Sequence, residues 1–339
     1  MPVAPPPPPA APADPAHADG PLFTVSIPVY NRADMVEATL KSVYDQSFTD
    51  YEIVAVNDGS KDNSLDVIRA HEPRIRVVDQ ANQGLAGARN TGAQHARGRY
   101  IVYLDSDDLF HPWSLATLAE LIETWRTDHD GRDPAIVSGE FTPFAEDGAF
   151  DGASASRLEH LAFDSFLISG NRRSIAPSAT ALHLPTLRHH GLGEQVRVMF
   201  EEVDLWLKVG QHEGFLFATK PSICGYRVGH ASMMGNMQKQ LDGYAWIRGR
   251  VEAGAYGDDP GLKDQMREVL GVYAKGAALR CLHTKDRARG LAFFKHALPT
   301  VVKRGDLKFA AAYPLLLAAG RGVKARSMRG LQAQTIADE

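Results

Sequence analysis

Cysteine is scarce in this chain: two residues, Cys224 and Cys281, in 339. Two thiols exclude a disulfide framework and a four-cysteine zinc site, and such usage fits a reducing compartment. Long apolar runs are missing too. Nothing approaches the roughly 18–20 apolar residues of a membrane-spanning helix. Residues 1–20 have neither the basic start nor the apolar stretch of a secretory signal, so a cytoplasmic protein is expected. No sign of charge dominates: 37 Lys and Arg stand against 41 Asp and Glu, a net charge of −4. That excludes a globally basic nucleic-acid coat, and no nucleic-acid partner is expected. No G-x-G-x-x-G follows the first apolar run, and no G-x-x-x-x-G-K-[ST] occurs anywhere. Dinucleotide-binding and P-loop readings are weakened accordingly. A diphosphate bound here would have to be neutralised by a metal and basic groups rather than by a glycine-rich loop.

What is present is a chain 44% hydrophobic, long enough for about two domains and a core without covalent staples. Residues 1–20 are Pro/Ala-rich, with Pro5–Pro9 consecutive, and are expected to form a disordered or polyproline-like tail. Strands are expected at Phe23–Val29, Tyr51–Val56, Ile75–Val78 and Tyr100–Leu104. Between them lie helical patterns at Ala33–Gln46, after Ser60 as N-cap, and at Leu85–Ala96. This alternation predicts an α/β fold with a mostly parallel sheet covered on both faces. A further helix is expected at Ser114–Trp125, strands at Ala135–Ser138 and Phe215–Ala218, a loop at Glu140–Ser156, and a helix at Phe200–Val209. From about Asp259 the pattern is helical.

In open parallel sheets ligands bind beyond the carboxyl ends of the strands. Tyr30, Asn31 and Arg32 follow the first strand, Asn57-Asp58-Gly59-Ser60 the second, and Asp105-Ser106-Asp107-Asp108 the fourth. Three carboxylates in four residues, at the end of a buried strand, repel one another and are costly unless paired. Hard oxygen donors of this kind suit Mg2+ or Mn2+, which bind through one or two carboxylates plus substrate phosphates. The plainer reading is a turn in which Asp108 caps the next helix.

Residues 301–330 are basic at both ends, with Lys303, Arg304, Lys308, Arg321, Lys324, Arg326 and Arg329 against Asp306 alone. Between them, Phe309–Ala319 is apolar but too short to span a bilayer. Two readings stand: a helical hairpin packed on the domain, or a surface lying on the inner face of an anionic membrane, each basic residue contributing about 1 kcal/mol near lipid.

Four segments together resemble family 2 glycosyltransferases of the GT-A fold: Val25-Ser-Ile-Pro-Val-Tyr-Asn31, Val56-Asn-Asp-Gly-Ser60, Asn82-Gln-Gly-Leu-Ala-Gly-Ala-Arg-Asn90 and Leu104-Asp-Ser-Asp-Asp108. Phe200-Glu-Glu-Val-Asp-Leu-Trp-Leu207 is similar to the family's E-D-x-D-L-W segment, and Tyr226-Arg-Val-Gly-His230 to its Y-R-x-H region. The resemblance implies a GT-A-type, Rossmann-like domain over about 21–234, with a nucleotide-binding half to about 110 and an acceptor half beyond it. A helical region with a basic amphipathic end would follow at 235–339. The implied activity is inverting, metal-dependent transfer of a sugar from a nucleotide diphosphate, UDP favoured, to a hydroxyl of a glycan or lipid-linked acceptor. Surface polysaccharide, lipopolysaccharide or cell-wall glycan synthesis is the implied setting. A sugar nucleotidyltransferase and a nucleotide-sugar-binding or scaffold protein are the alternatives.

By the same resemblance, Asp58 would read the base, and Pro28, Tyr30 and Asn31 would shape the nucleoside pocket. Arg89 would contact base or phosphate, and Asp105 the ribose side or the metal. Asp107 would ligate the metal, with His230 on metal or diphosphate. Glu202 stands at the position of the catalytic base, where most relatives carry Asp; Glu201 and Asp204 are local competitors. On a helix Asp204 precedes Lys208 by four residues, which predicts an exposed ion pair with Glu201 on the same polar face. Glu202 shares its face with Leu205 and Trp206 and is expected to point inward. There the positive end of the helix dipole favours its ionised form.

Overall fold

The first strand, β1 (Phe23–Val29), is buried along its whole length. Its continuous run of apolar and small residues is what a strand covered on both faces requires. In the computed structural model, residues 20–145, 156–169, 175–190, 201–228 and 237–319 are described. The Pro/Ala-rich tail to residue 19, most of the loop expected at 140–156, and His230 lie outside them. The described residues up to Val228 fall in one compact unit and those from Met237 in a second.

In the first unit β1 is followed by α1 (Val36–Tyr44), β2 (Tyr51–Asp58), α2 (Ser64–Arg69), β3 (Arg76–Gln80), α3 (Gly84–His95) and β4 (Tyr100–Tyr103). These are the expected alternating elements, with ends shifted by a few residues. Then come β5 (Leu109–Phe110), α4 (Ser114–Asp128), β6 (Ile136–Gly139), β7 (Phe141–Ala145) and β8 (Glu159–Phe163). The unit closes with β9 (Thr180–His183), α5 (Leu184–His189), α6 (Glu201–Val209), β10 (Phe215–Lys220) and β11 (Cys224–Val228). The main sheet has the order β3-β2-β1-β4-β9-β6-β10-β8. Pairing is parallel from β3 to β4 and between β6 and β10, and antiparallel wherever β9 or β8 takes part. A second sheet, β5-β11-β7, borders the acidic turn after β4.

Period-two alternation sorts the core. Ile53 and Ala55 of β2 join Val36 and Leu40 of α1 and Leu118 and Ile122 of α4, whereas Val54 and Val56 meet Ala88 of α3 on the other face. Pro28 is tolerated inside a central strand because β4 pairs with β1 only as far as Ser26.

Three local expectations are corrected. Ser60 does not cap α2, which starts at Ser64; the Ser60 hydroxyl instead accepts the Asn31 N–H at 3.1 Å. Part of the expected loop is β7, paired in parallel with β11 from Phe141 opposite Cys224. Only Phe144 of it is fully buried, so the segment carries little apolar pattern of its own. The Asp204–Lys208 pair forms at 2.8 Å but is buried, with Asp204 0% exposed, and Glu201 is turned away towards Arg89. From Val203 to Val209 every side chain of α6 is buried, so this helix has no solvent face on which to place the pair. Removing one partner of a buried pair takes the nearest opposite charge from the other. Asp204→Asn should therefore lower unfolding free energy by about 3–5 kcal/mol. A fall in urea midpoint at unchanged m would show it, and Asp204→Leu/Lys208→Met should recover part of the loss.

The second unit holds α7 (Met237–Glu252), α8 (Pro260–Thr284), α9 (Arg287–Lys303) and α10 (Leu307–Ala319). The Asp259 carboxylate caps α8 on the Leu262 N–H at 2.7 Å, and that of Asp286 caps α9 on the Arg289 N–H at 3.1 Å. A Cβ on Gly271 would stand 1.9 Å from the Thr300 hydroxyl, so glycine there lets α8 and α9 approach closely. Phe309, Tyr313 and Leu317 bury one stripe of α10, and the Tyr313 hydroxyl donates to the Ala278 carbonyl at 2.7 Å.

Candidate active site

The ends of β1, β2 and β4 are knitted together by side chains from the loops that follow them. Asn31 sits at φ 51°, a left-handed conformation that asparagine tolerates better than most residues. Its side-chain oxygen accepts the Lys61 N–H at 2.7 Å, which ties the first loop to the second. Tyr30 beside it is exposed, and Pro28 behind it is buried.

Asp58 is 2% exposed at the end of β2. Its carboxylate accepts from Gln80 Nε2 at 2.7 Å, from the Gln83 N–H at 2.8 Å and from the Gly84 N–H at 2.9 Å. It thus supplies the N-terminal cap of α3 from another element. Three of about four lone-pair directions are spent, leaving roughly one for a ligand. Gly59, at φ 69°, turns the chain where a Cβ would press on the Asn82 nitrogen at 2.8 Å.

The acidic turn after β4 divides by role. Asp108 accepts the Ser178 hydroxyl at 2.6 Å and the Arg227 N–H at 3.0 Å, bolting β11 to the turn. Burial, then the charge of Asp105, pushes its carboxyl up to about 8. Asp107 is more open and meets Arg32 Nε at 3.3 Å. Asp105 accepts from Arg89 at 2.9 Å, and its backbone N–H donates to the Ser178 hydroxyl at 3.1 Å. Burial raises its pKa, Arg89 opposes that, and Asp107 adds to it.

Arg89 is buried on α3, and it reaches two carboxylates far apart in sequence: Asp105 at 2.9 Å and Glu201 at 3.4 Å. Burial works against its charge, but Asp105, Glu201 and Glu202 more than offset it and hold the guanidinium protonated. Its Nε–H meets no partner among the described residues, which leaves a donor for a ligand oxygen. Glu201 and Glu202 open α6 side by side. Burial, then the neighbouring Glu201 charge, pushes the Glu202 carboxyl up to about 8. This corrects the expectation from the helix dipole: desolvation and a like charge outweigh it and favour the protonated carboxyl.

The structure therefore brings Arg89, Asp105, Glu201 and Glu202 into one cluster, with Asp107 at its open side and Asp58 at the head of α3. Sequence reading missed three contributors. Arg32 and Arg227 stand inside motifs that were noted but were given no role; Ser178 has no local signal at all. Among the described residues no three carboxylate, histidine or cysteine side chains converge on a metal position. Asp105 and Asp107 nonetheless suit a divalent ion that completes its shell with water and substrate phosphate.

Residues 24–176 match the family model for glycosyl transferase family 2. The matched segment, 153 of the 339 residues, is similar to family 2 glycosyltransferases. The glycosyltransferase EpsJ of Bacillus subtilis, uncharacterized, is 39% identical over 111 residues, 32% of this chain and 32% of that protein. The chondroitin synthase of Pasteurella multocida is 40% identical over 95 residues, 27% of this chain and 10% of that protein. The matched glycosyltransferase segment thus spans about a third or less of these relatives. In fold, the domain and the region after it are similar to S. aureus TarS 1–349 in complex with UDP-GlcNAc, with TM-score 0.56 at 16% identity, over 84% of this chain and 92% of that one. They are also similar to the mannosyltransferase PcManGT of Pyrobaculum calidifontis in complex with GDP-Man and Mn2+, with TM-score 0.54 at 19% identity, over 94% and 86%.

A stability consequence follows from Glu202. Its pKa is raised on folding from 4.5 to about 8, so its contribution is fully present below about 4.5 and is lost as pH rises through about 8. Relative to wild type, Glu202→Gln should therefore gain thermal stability between pH 6 and pH 9. Melting temperatures across that range that run parallel for the two proteins would contradict the assignment.

Proposed function

We propose that this protein is an inverting glycosyltransferase that moves a sugar from a nucleotide-diphosphate donor to an acceptor hydroxyl, with Glu202 as the base. The observation that carries it is the Arg89 bridge, which sets the Asp105 end of the donor site against the first turn of α6. The match of residues 24–176 to the family model supports the reaction class. The donor complexes of the structural neighbours, and a polysaccharide synthase among the relatives, support a nucleotide sugar and a glycan acceptor.

Asp58, with Pro28, Tyr30 and Asn31, would receive the nucleoside. Asp107 and Asp105 would hold Mn2+ or Mg2+, which when bound supplies charge to stabilise the leaving diphosphate. Arg89 opposes the effect of burial on Asp105 and orients its carboxylate. Glu202, once deprotonated, accepts the acceptor's hydroxyl proton. That oxygen bonds to the anomeric carbon as the bond from this carbon to the diphosphate oxygen breaks. Attack opposite the leaving group, through a transition state of oxocarbenium character, inverts the centre.

The test is a panel of UDP- and GDP-sugars with Mn2+, read as released nucleoside diphosphate and as thermal shift. Metal-dependent release with at least one donor is expected. Thermal stabilisation by a nucleotide sugar with no release, with any hydroxyl acceptor or with water, would make this a nucleotide-sugar-binding protein instead. Among the described residues no helix is long and apolar enough to cross a membrane.

A further inference from the structure

Arg32 has no part in the reading above, yet it stands where the nucleoside pocket and the acidic turn meet. It follows Tyr30 and Asn31, and its Nε–H donates to Asp107 Oδ2 at 3.3 Å. Burial raises the pKa of Asp105, and Arg32 is among the charges that lower it. The guanidinium therefore acts on both carboxylates that would hold the metal. An oxygen that accepts from a cationic N–H has less to offer a divalent ion, and the two positive charges repel.

The backbone of Arg32 is firmly held. Its N–H donates to the Ser64 hydroxyl at 2.9 Å, and its carbonyl accepts the Met35 and Val36 N–H groups at 3.0 and 2.9 Å. The side chain is held lightly. It is 31% exposed, touches Asp107 through one nitrogen and not as a fork, and donates from Nη1 to the Asn31 carbonyl at 3.1 Å. Most donors of its fork make no bond among the described residues. Arg89, by contrast, is 4% exposed and spans two carboxylates. A one-pronged, partly exposed pair contributes little and is readily exchanged.

The sheet order shows what would draw Arg32 away. β1 lies between β2 and β4. A donor with its base at Asp58, after β2, and its leaving group at Asp107, after β4, must cross the end of β1, where Arg32 stands. A guanidinium fork matches phosphate oxygens better than a single carboxylate oxygen.

We infer that Arg32 is a counter-ion latch: before metal binds it competes for Asp107, and the donor diphosphate draws it off, so that metal and donor bind cooperatively. The inference rests on the nucleotide-sugar reading. Such coupling is reciprocal: each ligand tightens the other by the same factor.

The test is Mn2+ binding to the full chain, by calorimetry and by loss of the free-ion EPR signal, without nucleotide and with saturating UDP or GDP. Arg32→Gln should bind Mn2+ alone about fivefold tighter, the equivalent of one lost partly exposed pair. It should bind the nucleoside diphosphate in Mn2+ about tenfold more weakly, because a charge-assisted phosphate contact is gone. The coupling factor should fall about fivefold or more. Arg32→Lys keeps the charge without the fork, so it should bind Mn2+ alone as weakly as wild type and recover only part of the nucleotide affinity. An unchanged melting temperature without metal shows that each variant folds. Equal Mn2+ affinity of Arg32→Gln and wild type without nucleotide, or no binding by either, overturns the proposal. So does tighter metal binding with an unchanged coupling factor. Asp107→Asn distinguishes failure of the underlying reading: if it binds Mn2+ like wild type, the metal does not sit on Asp107, and the site assignment falls together with the latch.

Discussion

Glu202→Gln is expected to lower turnover about 10²–10⁴-fold while leaving donor affinity nearly unchanged. A base must be unprotonated before it accepts a proton, and burial with the adjacent Glu201 charge pushes the Glu202 carboxyl up to about 8. In wild type, kcat/KM should therefore climb about tenfold per pH unit below 8 and level off above it, since this parameter reports the free enzyme. The variant's residual rate should lose that limb. Glu201 separates the base from its neighbour. Its charge is the second cause of the Glu202 shift, so Glu201→Gln should move the rising limb to lower pH while the plateau stays within about tenfold. Asp204→Asn should act on stability, because that carboxylate is buried against Lys208. Steady-state kinetics from pH 6 to pH 10 on the three variants decides the matter. If Glu202→Gln keeps the wild-type limb and plateau, the base lies elsewhere.

Asp107→Asn should abolish manganese-dependent donor binding and leave the empty protein about as stable as wild type. Two opposing effects meet at this side chain. Asp107 raises the pKa of Asp105 by like charge, and its removal relieves that repulsion. The contact with Arg32, 3.3 Å long and partly exposed, is lost at the same time. Exposed or partly exposed pairs contribute about 0–1 kcal/mol, so the net change should be small. With donor at a hundred times its dissociation constant, wild type should gain about 2.7 kcal/mol against unfolding when Mn2+ is present. The variant should gain nothing from adding Mn2+. Thermal shift with and without metal measures this without recourse to turnover. A variant with wild-type metal dependence would remove Asp107 from the ligand set.

Much of the site could be located in the sequence because each part follows a strand. A buried parallel strand must be a short apolar run, and the residues after its carboxyl end face the ligand crevice. Asp58, Asp105 and Asp107 stand out there as carboxylates where burial would otherwise forbid them. The alternation from Phe23 to Tyr103 is legible for the same reason. Beyond Trp125 legibility fades. Strands β7, β8 and β11 lie in less deeply buried surroundings, and their pairing depends on partners dozens of residues away, as in Phe141 opposite Cys224.

What the sequence by itself determined is the set of chemical groups and the elements that carry them: apolar strands, their acidic ends, and a helix opening on Glu201 and Glu202. What only the tertiary structure decided is how those groups share charge. Periodicity placed Asp204 and Lys208 on a solvent face, but the burial of α6 made theirs an interior pair. The dipole of that helix argued for an ionised Glu202, yet desolvation and Glu201 raised its pKa instead. Nothing in the order of residues says that Arg89 will stand between Asp105 and Glu201. Helix and strand patterns arise from contacts close in sequence, whereas electrostatic energies depend on distances and burial set by the whole fold.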